Sequence, residues 1–226
     1  MQSKFSADSL PDLSGRVYLV TGGNAGIGKA TVVGLASRGA RVWMGTRNET
    51  KALTAIDEIK AQLPSANIQF LKINLSSLAS VVSAAKELRR RETILHGLVN
   101  NAGVMGVPFA LTADGYDIQL QTNYIAHWLL THYLLPLLTA NSAAGVTCRI
   151  VNVTSDGHAA FPPKSGIEFA DINLGTKSAM MRYGQTKLAN VLHAKELHRR
   201  YGPKNAAHVS QRHIIVAAVH PGHIDT

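Results

Sequence analysis

The chain has a single cysteine, Cys148, among its 226 residues, so no internal disulfide can form. A reducing compartment suits that composition. Acidic residues are scarce: 14 Asp and Glu stand against 23 Lys and Arg, a formal net charge of +9. Such an excess draws anions, whether nucleic acid, lipid headgroups or phosphorylated ligands. The positive charge is scattered, however. Its densest cluster, Arg89-Arg90-Arg91, closes a helical stretch where cations suit the dipole. No basic stripe or binding motif accompanies it, which argues against nucleic acid as a partner. Long apolar runs are missing too. The greasiest, Trp128–Leu138, is too short for a bilayer and reads as a buried or subunit-contacting helix. The first twenty residues lack the basic and apolar regions of a secretory leader, and a cytoplasmic location is expected. Ten histidines form no acid-and-histidine cluster of ligand spacing; His193 with His198 and His220 with His223 are the nearest pairs, so no metal site is expected.

What remains is an ordinary globular profile, 46% hydrophobic and 16% charged. Short apolar runs at Arg16–Val20, Arg41–Gly45, Ile68–Ile73, Ile94–Val99, Arg149–Thr154 and Ile214–Val219 read as strands. Helical patterns separate them at Gly26–Ser37, Thr50–Gln62, Leu78–Arg90, Ala113–Leu138 and Ala179–Tyr201. This alternation predicts an α/β fold: a doubly wound parallel sheet with helices on both faces, as one domain over 1–226. The Pro-, Gly- and Lys-rich stretch Phe161–Ser178 reads as a long functional loop.

The first strand runs into TGGNAGIG (21–28) and then a helix. Gly22, Gly26 and Gly28 let the backbone turn tightly and approach a pyrophosphate, whose charge meets the helix amino end. The plain alternative is a glycine-rich turn with no ligand. The second strand ends in VWMGTRNETK. NAD binding favours an acid there, for the ribose 2′-hydroxyl. This chain has Thr46 followed by Arg47, and a guanidinium suits a 2′-phosphate, so NADP(H) is expected over NAD(H). Lys51 is a second candidate cation.

In these segments the chain resembles the short-chain dehydrogenase/reductase family. TGGNAGIG (21–28), NNAG (100–103), Asn123 in QTNYIAHW, Ser155 in IVNVTSDGH, YGQTK (183–187) and HPGHIDT (220–226) occur in family order across nearly the whole chain. LTADGYDIQLQTNYIAHWLLTHYLLP and YGQTKLANVLHAKEL look most like the retinol-dehydrogenase-like branch. The resemblance implies a Rossmann fold. It implies cofactor contacts from Gly22, Asn24, Gly26, Ile27 and Gly28. Others would come from Asn101, Ala102, Gly103, Pro221, Gly222, Ile224 and Thr226, while Asn100 stabilises the central sheet. Asn123, Ser155, Tyr183 and Lys187 would form a catalytic tetrad. Tyr183 and Lys187 would also touch the cofactor.

The spacing has its own logic. Residues four apart on a helix are neighbours on one face. A free tyrosine has a pKa of about 10, and a nearby ammonium is expected to lower it, readying Tyr183 for proton transfer. Ser155 lies just past a strand end, where it can hold the reacting oxygen. His158, close behind, is a candidate pocket residue, with a plain loop role as the alternative. By resemblance, Asn123 would anchor a water that links Lys187 to solvent.

Two departures stand out. Asn74, with Leu75 after it, replaces the acid that the family often places near the adenine. The sequence also stops soon after the sixth strand, so the usual last strand is expected to be lacking and the domain C-terminally incomplete. The expected activity is hydride transfer between NADP(H) and a small apolar carbonyl or alcohol, with a homo-oligomer as a possible assembly. A non-catalytic dinucleotide-binding redox sensor or scaffold is the alternative.

Overall fold

The computed structural model describes residues 9–143, 146–203 and 214–222. Strand β1 (Val17–Thr21) leads through the glycine turn to α1 (Gly26–Ala36). Then follow β2 (Arg41–Thr46), α2 (Glu49–Gln62), β3 (Asn67–Lys72), α3 (Leu78–Arg91) and β4 (Gly97–Asn100). A long helix begins as α4 (Ile118–Leu120), passes through a π-helical turn at Gln121–Ile125 and continues as α5 (Ala126–Ala143). β5 (Cys148–Val153), the short α6 (Gly157–Ala160), α7 (Ala179–Tyr201) and β6 (Ile214–Val219) complete the order. All six strands are parallel, in the order β3-β2-β1-β4-β5-β6. This is the α/β Rossmann fold that the alternating pattern predicts. Among the described residues, β6 is an edge strand.

Both faces of the sheet are covered, which is why its strands read as unbroken apolar runs. Successive strand residues point to opposite faces. Val17 and Leu19 of β1, with Trp43 of β2, join the core under α3, α5 and Leu197 of α7. Tyr18 and Val20, with Val42 and Met44, join the core under α1 and α2. Leu130, Leu134, Leu137 and Leu138 of the greasy run are buried in the first of these, as expected, whereas Trp128 is 45% exposed. Each fully buried leucine contributes on the order of 1.5–3 kcal/mol.

The predicted boundaries are off most at the middle helix. It begins at Ile118 rather than Ala113. Thr112–Asp117 form a turn that Thr112 N closes on Tyr116 O, and Asp117 then caps the helix through Gln119 N and Leu120 N. β4 likewise starts at Gly97 rather than Ile94. No helix among the described residues is long and apolar enough to cross a membrane, and none of their His, Cys, Asp and Glu side chains group as a metal site.

The order reversal between β1 and β4 opens a crevice at the carboxyl ends of the strands, the usual ligand position in open α/β sheets. The candidate residues gather along it.

Candidate active site

The glycine turn is held by backbone contact. Gly22 (φ 68°) and Gly26 (φ 49°) occupy the left-handed region. A Cβ on Gly28 would lie 2.2 Å from the Gly22 carbonyl oxygen, so no side chain fits there without displacing the chain. α1 opens at Ala25 with no side-chain cap, whereas α2, α3 and α7 are capped by Asn48, Ser77 and Ser178. Its first amides are therefore left for solvent or an anion.

Thr21, which sequence reasoning passed over, ties this turn to the β4 end. Its Oγ1 accepts from Asn101 N at 2.9 Å and Ala102 N at 3.1 Å, while Asn101 Nδ2 donates to Thr21 O at 2.8 Å. The same hydroxyl meets His127 Nε2 at 2.8 Å, and His127 Nδ1 lies 3.1 Å from the Asn123 carbonyl. A carbonyl only accepts, so Nδ1 carries the proton and Nε2 accepts from Thr21. Burial lowers the His127 pKa to about 4, which keeps the ring neutral. His127 follows Asn123 by four residues on a helix, a signal the sequence did carry. Asn100 is buried in the sheet, its Nδ2 donating to Thr131 Oγ1 and Asn152 Oδ1.

Two adjoining clefts share Gly103 and Val104 in their walls. The first, about 220 Å³, lies over the ends of β1, β2 and β3. Gly22, Thr46, Arg47, Asn74, Leu75, Ala102 and Thr122 are among its lining. Arg47 is exposed there and has no ion-pair partner among the described residues. Thr122 Oγ1 is buried with no hydrogen-bond partner among the described residues. Lys51 and Asn24 line neither cleft; the Lys51 amide instead caps α2 through Asn48 Oδ1.

The second cleft, about 400 Å³, is lined by Ile27, Asn101, Ser155, Asp156, Tyr183, Lys187, Pro221 and Gly222, among others. Three of the four tetrad candidates thus face one space. The fourth, Asn123, lies in the π-helical turn and is fully buried. Its Oδ1 accepts from Val104 N at 2.8 Å, and its Nδ2 donates to Val104 O at 2.9 Å and Thr186 Oγ1 at 3.1 Å. This grip holds the segment after β4 against α7. A Cβ on Gly103 would lie 3.2 Å from Asn123 Oδ1 and 3.6 Å from Lys187 Nζ, so the missing side chain leaves space beside the ammonium. Ile224 and Thr226 lie outside the described residues.

Lys187 donates to Val153 O at 3.0 Å, and burial lowers its pKa to about 8. Thr154 Oγ1 donates to the Lys187 carbonyl at 2.9 Å, pinning this turn of α7 to β5. Lys187 Nζ lies 5.6 Å from the centre of the Tyr183 ring. Against expectation, the phenol pKa is raised. Burial is the main cause, opposed by hydrogen bonding from Ser155 and reinforced by the negative charge of Asp156. The ammonium is not the controlling influence on the ring in this state.

Ser155 Oγ donates to Asp156 Oδ1 at 2.9 Å and accepts from Gly157 N at 3.1 Å. Asp156 escaped the sequence reading, since an acid beside a loop serine carries no spacing signal. His158 does not line the cleft. Its Nδ1 sits 2.6 Å from the Ser155 carbonyl, so it braces that backbone.

A buried ion pair flanks the site. Arg182 Nε lies 3.3 Å from Asp117 Oδ1, with side-chain exposures of 5% and 1%. Arg182 also donates to Lys177 O and Val107 O, each at 2.8 Å. Gln185 accepts from Glu168 N and donates to Ile172 O. Loop 161–178 and the segment after β4 are thereby both fastened to α7, next to Tyr183.

A family pattern described as short chain dehydrogenase matches residues 16–165. The chain belongs to that family. The short-chain dehydrogenase/reductase drtF of Aspergillus calidoustus is 52% identical over 222 residues, covering 96% of this chain and 70% of the relative. Retinol dehydrogenase 11 of Mus musculus is 38% identical over 212 residues, covering 93% and 62%. Among solved structures, the Pseudomonas aeruginosa RhlG/NADP active-site complex superposes with a TM-score of 0.71 at 27% identity, covering 95% of this chain and 74% of that one. This short-chain dehydrogenase falls in the retinol-dehydrogenase-like branch and is an oxidoreductase of a family that uses NAD(P). It spans only part of its curated relatives' length, 70% and 62% in the two named.

Proposed function

We propose that the chain, as one dinucleotide-binding and catalytic unit, is an NADP(H)-dependent carbonyl reductase, or an alcohol dehydrogenase in reverse, acting on a small apolar substrate. The observation that carries this reading is the convergence of Ser155, Tyr183 and Lys187 on one cleft that adjoins the cleft bearing Arg47. The residues fit the cofactor. Gly28 leaves no room for a side chain, Gly22 sits in the left-handed region, α1 offers uncapped amides, and the Thr122 hydroxyl, without a partner among the described residues, lies in the cleft wall. Arg47 is the group for a 2′-phosphate, which supports NADP(H) over NAD(H). Lys187 would hold the ribose hydroxyls, and Pro221 and Gly222 would border the nicotinamide.

When bound, the nicotinamide supplies or takes the hydride. The proton belongs to the protein. A phenol whose pKa is raised by burial stays protonated near neutrality, so Tyr183 is ready to donate to a carbonyl oxygen. Ser155 turns its hydroxyl from Asp156 to the substrate oxygen and stabilises the developing charge. Asn123 keeps Val104 and Gly103 clear of the Lys187 ammonium. The non-catalytic alternative predicts loss of Tyr183 or Lys187, and both stand in the cleft wall.

The test is NADPH oxidation against a panel of ketones, aldehydes and quinones, with Tyr183→Phe beside the wild type. Turnover should fall about 10³-fold in the variant while NADPH still binds. Equal turnover would remove Tyr183 from the chemistry.

A further inference from the structure

At the amino ends of β1 and β5, opposite the crevice, lies a cavity of about 500 Å³. It is larger than either cleft at the carboxyl ends and within the size range of small-molecule sites. Leu10, Leu13, Leu35 and Val146 give it apolar walls, while Arg16, Tyr18 and Arg149 bring polar groups. Asp12 also lines it, but its carboxylate is taken up by Ser14 N and Ser14 Oγ.

Tyr18, Gly97 and Arg149 stand side by side on β1, β4 and β5. Gly97 has no side chain, and the Tyr18 ring lies over it: a Cβ there would meet Cδ1 at 2.5 Å and Cε1 at 2.7 Å. Tyr18 is 8% exposed, and its hydroxyl has no hydrogen-bond partner among the described residues. A buried phenol ordinarily finds one. The hydroxyl is not sealed in the core either, so it opens toward the cavity whose wall Tyr18 forms. The charges of Arg16 and Arg149 both act on this phenol. Burial outweighs them and raises its pKa, so it stays a neutral donor. Arg16 has no side-chain partner among the described residues, and Arg149 reaches only the Thr147 carbonyl, at 3.5 Å.

Three donors thus bound one apolar space. Inorganic phosphate would answer the cations and leave the apolar walls wet. An alcohol would cover the walls and leave two guanidinium groups without a counter-charge. A carboxylate on an apolar chain meets both demands, since a guanidinium pairs a carboxylate through two parallel hydrogen bonds and the phenol can donate to the same oxygens.

We propose that this cavity is a second ligand site, which takes a carboxylate on an apolar chain and holds it by Arg16, Arg149 and the Tyr18 hydroxyl. It stands apart from the dinucleotide reading, because none of its lining residues borders either cleft. Isothermal titration calorimetry of decanoate on the 226-residue chain tests it, with decanol and inorganic phosphate as comparisons. Decanoate should bind saturably, at least tenfold tighter than either. Decanoate could also enter the substrate cleft, so two variants decide where it sits. Arg16→Gln/Arg149→Gln should weaken it at least tenfold, and Tyr18→Phe, which keeps the ring over Gly97, about fivefold. Should the double variant fail to fold, Tyr18→Phe decides alone. No saturable binding, a Kd unmoved by the variants, or decanol or phosphate binding as tightly as decanoate would overturn the inference and leave the proposed function standing.

Discussion

The β1–α1 turn is shaped by backbone packed on backbone, whereas the start of α7 is shaped by buried polar side chains. At the turn, Gly28 faces the Gly22 carbonyl and the turn amides are left open. At α7, Arg182, Gln185, Thr186 and Lys187 are all buried and all hydrogen-bonded to other segments. The first arrangement suits a ligand that brings its own charges, as a dinucleotide does. The second suits chemistry, because side chains held from several directions keep a fixed geometry. The two should therefore break differently.

The largest effect is expected at the ion pair. Arg182→Met leaves Asp117 buried without its cation, which should cost about 3–5 kcal/mol of stability in urea unfolding. Adding Asp117→Leu to that variant should restore part of the loss. If Arg182→Met unfolds like the wild type, the pair does not fasten loop 161–178 and the segment after β4 to α7.

Gly28→Ala probes the other side. Its Cβ has backbone atoms of Gly22 in the way, at 2.2 and 2.8 Å. Overpacking of this kind costs about 1–3 kcal/mol. Dinucleotide binding should be lost outright, since the turn must open. Calorimetry showing unchanged NADP⁺ affinity would contradict the cradle.

These contrasts also explain how legible the molecule was. The glycine turn and the Tyr183–Lys187 spacing are local, so their residues lie together in the chain and could be read from it. The parallel sheet was legible because strands buried on both faces leave continuous apolar runs. The tie between Thr21 and His127 spans 106 residues, and no local pattern announces it. The raised Tyr183 pKa was misread for the same reason. The lysine four residues away was visible in sequence, while the burial that outweighs it is a property of the packed cleft. Asp117 was hidden because the helical pattern ran on through the turn it caps.

A third expectation concerns acid. Burial lowers the pKa of both His127 and His193 from 6.5 to about 4. Their unfolded forms take up protons that the folded forms refuse, so stability is full above pH 6.5 and is lost as pH falls from 6.5 toward 4. At pH 5 each histidine should account for about 2 kcal/mol of that loss. His193→Gln should flatten the pH dependence of the urea midpoint between pH 7 and pH 5; an unchanged slope would exclude His193 as a source.

The smallest effect returns to the first cleft. Arg47→Ala should weaken NADPH about tenfold and NADH hardly at all, because only one carries the 2′-phosphate. Equal losses for the two cofactors would remove the phosphate role from Arg47.

A crystal structure of the protein with NADP⁺ and an alcohol product bears most directly on the account. It should place the product oxygen within about 3 Å of both Tyr183 Oη and Ser155 Oγ, with the carbinol carbon about 3–3.5 Å from nicotinamide C4. A bound dinucleotide whose C4 points away from the cleft of Ser155 and Tyr183, or a phenol out of reach of the oxygen, would contradict it.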